Sequence, residues 1–354
     1  MSITKFLKAS GNEYASLASD GIAAADIHSF VDTGSYALNA LLSGSIFGGL
    51  PGNKITLCGA PSSTGKTFFA LGAAKSHQEK NKGGLVAIFE SESAINQEMI
   101  VQRGLDPKRT LIFPVSTVED FRTQAIKVID AYMEQSEAER AEAPMFFILD
   151  SMGMLSTKKE VEDMSSGTDK RDMTKSQLLK GAFRVLTLKL GRAGIPLFVT
   201  NHVYDMIGAY VPTKVQAGGT GAVYAASTEL QLSKAKEKDA DGAVNGAIVT
   251  VTASKSRFTR EGLKVKCLIK YEGGLDRYYW LTEIAMAAGV FKKNSTRIEL
   301  PDGTKVFGKA LKDNPEKYFT NDILEQIDAW VQRKFKYTPS EHHDEEMDGD
   351  FDDE

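Results

Sequence analysis

The stretch APSSTGKT at 60–67 constrains the fold of this chain more than any other. It follows the apolar run KITLC (54–58) and leads into a helical pattern that begins near Lys66. A strand that turns through small residues and glycine into a helix opened by Lys-Thr matches the phosphate-loop pattern. In such a loop the backbone N–H groups point at a bound polyphosphate, and the helix N-terminus adds positive potential. Ala60, Pro61, Ser62, Ser63, Thr64 and Gly65 then form the cradle. Lys66 neutralises the β- and γ-phosphates, and the Thr67 hydroxyl holds Mg²⁺. The pattern has glycine at the first position, where this chain has Ala60 with Gly59 one place earlier; a methyl group fits there if φ is negative. The bland alternative is a Gly/Ser turn that happens to precede a lysine, and the flanking strand and helix weigh against it.

Further apolar runs recur with helical patterns between them: LVAIFE (85–90), MFFILD (145–150), IPLFVT (195–200), ELQLS (229–233), AIVTVTA (247–253) and LKVKCLIKY (263–271). The first three of these and KITLC are almost continuously apolar, as parallel strands covered on both faces must be. The last two alternate more, which suits antiparallel strands at one side. One amphipathic helix begins at Thr117, with Thr117 and Asp120 as a capping pair, and another covers about 176–191. The predicted class is a doubly wound α/β core over about 45–275, mostly parallel. Asp150 closes a buried strand, where a carboxylate needs a cation or donors; water-mediated contact to Mg²⁺ provides one. Glu90 and Glu92 close another, and either could orient an attacking water or cap a helix.

The net charge of −4 conceals an asymmetry. The last fourteen residues, EHHDEEMDGDFDDE, carry nine acids and no Lys or Arg, which leaves 38 acids against 43 bases in the rest. A mildly basic body with an acidic tail fits a nucleic-acid binder as well as a solubilised terminus. Cys58 and Cys267 are too few for a disulfide framework and lie in apolar runs, as reduced core residues of a cytoplasmic protein would. No run approaches the roughly 18 apolar residues of a membrane span, and the N-terminus lacks a leader's apolar core. Two polar, irregular stretches, 156–174 and 203–221, follow strand ends, where open α/β sheets bind ligands.

Taken in order, TGSYALNALLSGSIFGGLPGNKITLCGAPSSTGKT, FESESAI, GLDPKR, FFILDSMGMLSTKKEVED, FVTNH, GGTG and SKSRFTREG resemble the RecA family of strand-exchange recombinases, and within it the branch of T-even bacteriophages. The resemblance runs from about Thr33 to Gly274. It implies that Glu92 activates the attacking water, and that Asn201 and His202 sense the γ-phosphate and signal it to a DNA-binding loop. It makes 156–174 and 203–221 the two DNA loops, with Ile207 wedged between base triplets and Arg184 on phosphate. Lys255 and Arg257 reach the γ-phosphate of a neighbouring subunit. Met99 stands where many members stack a tyrosine on adenine, so adenine selectivity does not follow from the resemblance.

Lys158, Lys159, Lys170, Lys175 and Arg184 around the first loop, with Tyr204, Ile207 and Tyr210 in the second, suit a strand bound through phosphates and base faces. The lysines and Arg184 also read as a solvated surface, and the tyrosines as packing for the loop. The expected organisation is an N-terminal arm (1–32) that docks on the next subunit, a core (33–275), a small segment (276–340) and the tail (341–354). The expected function is a DNA-dependent ATPase using ATP and Mg²⁺, forming helical filaments on single-stranded DNA and pairing it with duplex DNA. A loading protein and a single-strand-binding protein are further expected partners. A hexameric helicase-type motor and a non-hydrolysing mediator remain alternatives.

Overall fold

The computed structural model describes residues 3–12, 14–22, 24–167, 174–205, 214–219, 221–237, 246–271 and 273–337. Eight strands build the main sheet: β1 (Ile55–Ala60), β2 (Leu85–Glu90), β3 (Thr110–Pro114), β4 (Met145–Asp150), β5 (Leu197–Asp205), β6 (Thr228–Glu237), β7 (Gly246–Ser256) and β8 (Lys264–Lys270). The helices that matter for the site are α1 (Lys66–Lys80), α2 (Gln97–Gln102), α3 (Val118–Met133), α4 (Lys158–Ser165), α5 (Lys175–Ala193), α6 (Gly221–Ala225) and α7 (Asn321–Phe335).

Across the sheet the order is β8-β7-β6-β1-β5-β4-β2-β3. The short strand Gly274–Leu275 extends it beyond β8, and Lys214–Gln216 pairs with β5. From β6 to β3 every pairing in this order is parallel; β7 runs antiparallel to both β6 and β8. The continuously apolar runs thus form the parallel centre. Every residue of β1 and β4 is buried, whereas β7 alternates buried and half-buried positions along much of its length. Because successive side chains point to opposite faces, β1 feeds two cores. Ile55 and Leu57 join Phe121 and Phe183 under α3 and α5, while Cys58 and Ala60 join Phe69 of α1 on the other face. Both thiols are buried and unpaired, and burial pushes each up to about 12.

Several boundaries differ from expectation. The edge strand β3 is not among the apolar runs read from the sequence, because only Phe113 packs inward, stacked on Phe89, while Leu111 and Ile112 stay exposed. The stretch 156–174 is not wholly irregular: a capping box between Thr157 and Glu160 starts α4 within it. The stretch 203–221 is narrower than read, because Val203–Asp205 pairs antiparallel with Lys214–Gln216 as the stem of a hairpin. Within the arm, Tyr14, Ala24 and Asp26 are held against their own core. Lys54 Nζ donates to the Ala24 carbonyl at 2.9 Å, Asn53 Nδ2 donates to that of Asp26 at 2.7 Å, and the Arg192 guanidinium sits over Tyr14. The helix Thr4–Ala9 buries none of its residues, and Ile3 and Phe6 beside and within it are exposed.

The segment after 275 completes the main core. Leu324, Ile327, Val331 and Phe335 of α7 join the cluster under α1. Buried Asp328 ties α7 to the loop after Ser43: its carboxylate accepts Ser45 Oγ and the Ile46 N–H at 2.7 Å each, and Gln332 Nε2 at 2.7 Å. Asp328→Ala leaves those donors without a partner. It should cost about 2–4 kcal/mol in urea unfolding, with Asp328→Asn recovering part of it. A loss below about 0.5 kcal/mol contradicts this tie.

Candidate nucleotide and nucleic-acid site

The loop after β1 is shaped by two backbone positions. Ser63 and Gly65 have φ of 59° and 108°. At Gly65 the conformation calls for glycine, and a Cβ would also come within 2.6 Å of the tip of the Ile269 side chain, which would have to shift. Lys234 Nζ fixes the loop from β6 by donating to the Ser63 carbonyl at 2.9 Å. Ala60 ends β1 in extended conformation and fully buried, so its methyl group is accommodated without strain. Lys66 Nζ donates to the carbonyls of Ala60 and Pro61, both at 3.0 Å. Burial holds this ammonium below the usual lysine range against the pull of nearby Cys58, Glu92 and Asp150.

Parallel register brings the acids to the same end of the sheet, since Glu90 and Asp150 are neighbours across β2 and β4. Asp150 accepts Thr67 Oγ1 at 2.7 Å and Thr200 Oγ1 on its other oxygen. Burial and the neighbouring Glu92 nonetheless keep its carboxyl above the usual range, despite those bonds and the charge of Lys66. A hydroxyl and one carboxylate suit Mg²⁺, which takes its remaining ligands from phosphate and water. No cluster of three or more His, Cys, Asp or Glu capable of holding a metal occurs among the described residues.

The two candidate bases separate cleanly. Glu90 is buried, and its carboxylate accepts the backbone N–H groups of Glu92, Ser93 and Ala94 at 2.9–3.0 Å, so it shapes the loop. Glu92 faces the cavity and accepts Ser151 Oγ at 2.5 Å; His202 Nε2 lies 3.1 Å from the same oxygen. Burial pushes Glu92 up, but the bonds from Ser151 and His202, with the charge of Lys66, hold its carboxyl below the usual range. It is an ionised acceptor at neutral pH, as a residue that orients water must be. Ser151 was missed in the sequence, although it directly follows Asp150.

Lys66, Thr67, Glu92, Asp150 and His202 line one cavity of about 370 Å³. Its lining also includes Phe68, Met99, Arg103 and Tyr271, of which only Met99 was anticipated. Asn201 and His202 end the phosphate-facing part of β5. Asn201 Nδ2 donates to Gln216 Oε1 at 2.7 Å and to the Ala217 carbonyl at 3.0 Å, and the Ala217 N–H donates to the His202 carbonyl at 2.9 Å. Gln216 Nε2 in turn donates to buried Glu229 at 2.7 Å. Gly59 leaves room for this contact, because a Cβ there would lie 2.3 Å from Gln216 Nε2.

The remaining candidates are spread more widely. Lys158 and Lys159 open α4 on the surface, where Lys158 lies 3.5 Å from Asp120. Lys175 is held by the Gly153 carbonyl at 3.1 Å, a structural strap. Arg184 is exposed on α5, and Tyr204 is 63% exposed on the hairpin stem, so it does not pack back on the core. Lys170, Ile207, Tyr210 and the acidic tail lie outside the described residues. Lys255 Nζ donates to the Val223 and Ala226 carbonyls at 2.6 and 2.8 Å, and Arg257 is exposed. In register, Lys255 sits opposite Glu229, which sits opposite Leu57; the Arg257 N–H reaches Ser227, whose own N–H reaches Ile55. Arg257 therefore lies level with the start of β1 and Lys255 level with its middle. Along the strand direction, at about 3.3 Å per residue, their backbones are roughly 10–16 Å short of its phosphate-loop end.

A mostly parallel sheet with this loop on its central strand and acids on neighbouring strand ends defines a phosphate-loop nucleotide-binding protein. The chain belongs to the RecA family: the RecA N-terminal domain matches residues 5–276. It is 32% identical over 256 residues to the "Recombination and repair protein" of Enterobacteria phage T4, covering 72% of this chain and 63% of that one. The match thus spans just under two thirds of the phage relative. Identity to "Protein RecA" of Paracoccus denitrificans is 27% over 295 residues (80% and 77% covered), and to that of Frankia casuarinae 26% over 317 (88% and 85%). No helix among the described residues is long and apolar enough to cross a membrane.

A carboxyl raised in the fold and ordinary in the unfolded chain favours folding in acid and opposes it once pH climbs through the raised value. At neutral pH without metal, Asp150→Asn should therefore match or exceed wild type in stability, by up to about 2 kcal/mol. It should also lose the thermal shift that Mg²⁺ with ATP gives the wild type. A destabilisation above about 2 kcal/mol contradicts the assignment.

Proposed function

We propose that the chain is a DNA-dependent ATPase of the strand-exchange class, which forms a filament on single-stranded DNA and pairs it with a homologous duplex. The observation that carries this reading is the hydrogen-bonded link from the cavity to the hairpin stem. The strand that presents His202 to Glu92 continues into the stem of the second DNA loop, and Asn201 grips the returning strand through Gln216 and Ala217. A change in what His202 contacts at the cavity can thereby move the loop. Names given to the relatives, recombination and repair protein and RecA, point the same way.

In the proposed reaction Lys66 and the loop N–H groups hold the triphosphate. Thr67 and Asp150 hold Mg²⁺, which supplies charge neutralisation at the phosphates. Glu92, kept ionised by Ser151 and His202, orients the attacking water. Lys255 and Arg257 do not line their own cavity and lie back along β1 from its phosphate loop, which supports their acting on the nucleotide of a second copy. Turnover then requires assembly. The exposed helix Thr4–Ala9 and the apolar edge strand β3 are the surfaces this reading assigns to subunit contact. The basic face around Lys158, Lys159 and Arg184, with Tyr204 on the stem, is the proposed track for the strand. A loading protein and a single-strand-binding protein belong to the same proposal through the resemblance alone.

Strand exchange between a circular single strand and its linear duplex tests the reading, with Lys66→Ala and Arg257→Ala as two separately inactive chains. Mixed in equal amounts, they should recover DNA-stimulated ATP hydrolysis to roughly a quarter of wild type, because some junctions then combine an intact loop with an intact neighbouring arginine. No recovery on mixing, or wild-type exchange by either variant alone, contradicts it.

A further inference from the structure

The two limbs of the first loop are held by different parts of the fold. The outgoing limb is pinned to the start of α3. The Ser156 N–H donates to the Ser116 carbonyl at 2.8 Å, the Val118 N–H donates to that of Ser156 at 2.9 Å, and the Lys158 N–H donates to the Glu119 carboxylate at 3.2 Å. The returning limb, which is the first turn of α5, is tied elsewhere. Lys175 Nζ donates to the Gly153 carbonyl at 3.1 Å. Gly153 in turn lies against the end of β5 and the returning strand of the second loop. A Cβ there would stand 3.1 Å from Asn201 Oδ1, 3.3 Å from the Ala217 methyl carbon and 3.4 Å from His202 Cδ2. Burial holds the Lys175 ammonium below the usual lysine range, against the pull of Glu160. A hydrogen bond made in such partly desolvated surroundings is stronger than one made in open water.

The second loop returns onto this same turn of α5. Gly218 and Gly219 have φ of 78° and 81°, and Cβ atoms there would come within 2.7 Å of Leu179 Cδ1 and 2.5 Å of Ser176 Oγ. At Gly221 a Cβ would meet the Lys180 Cα at 2.8 Å and its backbone nitrogen at 2.9 Å. Side-chain tips can turn aside, but backbone this close cannot. Close-packed elements transmit displacement, so a shift of the returning strand is passed to the start of α5.

We propose that Lys175 is a positioning residue of the first loop, and that the two loops answer the nucleotide as one unit. A shift of Asn201 and His202 reaches the returning limb of the first loop by two contacts, Gly153 with Lys175 and the packed glycines 218, 219 and 221. The inference rests on the reading of both stretches as DNA-binding loops coupled to the cavity, and it extends that coupling from the second loop to the first.

The test uses two reporters on the full chain, each an environment-sensitive dye on one introduced thiol: Gln177→Cys in the first turn of α5, or Tyr204→Cys in the hairpin stem. Both positions are exposed and both native thiols are buried, so each introduced thiol is labelled alone. Without DNA, a non-cleavable ATP analogue with Mg²⁺ should change both signals, with midpoints within about twofold of each other. Lys175→Met should cut the signal at position 177 at least about threefold and leave that at 204 in place, and Lys175→Arg, which keeps a charged donor, should restore it. Gln216 contacts only the second loop and its supports, yet Gln216→Ala should cut both signals at least about threefold. Thermal melting checks that each variant folds; if Lys175→Met does not, the wild-type midpoints and Gln216→Ala carry the test. A wild-type change at 204 alone, a signal at 177 untouched in folded Lys175→Met, or a Gln216→Ala effect confined to 204 overturns the inference while leaving the second-loop coupling standing. Silence at both positions, with the analogue shown to bind by competition, overturns that coupling as well.

Discussion

Lys66, Asp150 and Glu92 meet at the carboxyl ends of three parallel strands or in the turns that follow them, and the rest of the structure depends on keeping these charges together. Each is displaced from its ordinary titration. Burial holds Lys66 down and Asp150 up, and the bonds from Ser151 and His202 hold Glu92 down. Such an arrangement is costly in a core unless an ion pair, a metal or a charged ligand answers it. Parallel register is what makes it possible. Glu90 aligns with Asp150, and Ala60 aligns with His202, so one end of the sheet collects the loop, the acids and the histidine without long connections. The fully buried β1 and β4 supply rigidity behind them.

That rigidity matters because the same strand end is also the root of the second loop. β5 passes His202 and continues to Asp205 in the hairpin stem. Gln216 on the returning strand joins Asn201 to Glu229, and the backbone of Ala217 returns to His202. Close approach is built in, since side chains at Gly59 or Gly153 would collide with Gln216 or crowd Asn201. Glu229 lies opposite Lys255 in the sheet, so the chain of contacts runs from the cavity toward Lys255. A contiguous element of this kind can couple a nucleotide to a distant ligand if it has two arrangements that both sites bias.

Much of this was legible in the sequence, for physical reasons that differ by residue. Strand β4 has the bounds read from MFFILD, because an unbroken apolar run ended by an acid has few other solutions in a parallel sheet. Helix α3 begins where Thr117 caps it. Strand β3 was not legible, since its side chains are half exposed at the edge and its pattern is neither buried nor alternating. Helix α4 was hidden by polar residues, its start marked only by a capping box. Periodicity could not separate Glu90 from Glu92; the resemblance favoured Glu92, and the structure shows Glu90 occupied by three backbone donors. Part of the cavity lining was the least visible. Arg103 and Tyr271 come together from residues 168 positions apart, and nothing local in either marks the meeting.

The coupling itself is the central claim, and retention of a labelled single strand by the full chain at fixed salt measures it most directly. Compared without nucleotide, with ADP and Mg²⁺, and with a non-cleavable ATP analogue and Mg²⁺, retention should rise at least about tenfold only in the last case. Equal retention in all three would contradict the account, whatever the rate of hydrolysis.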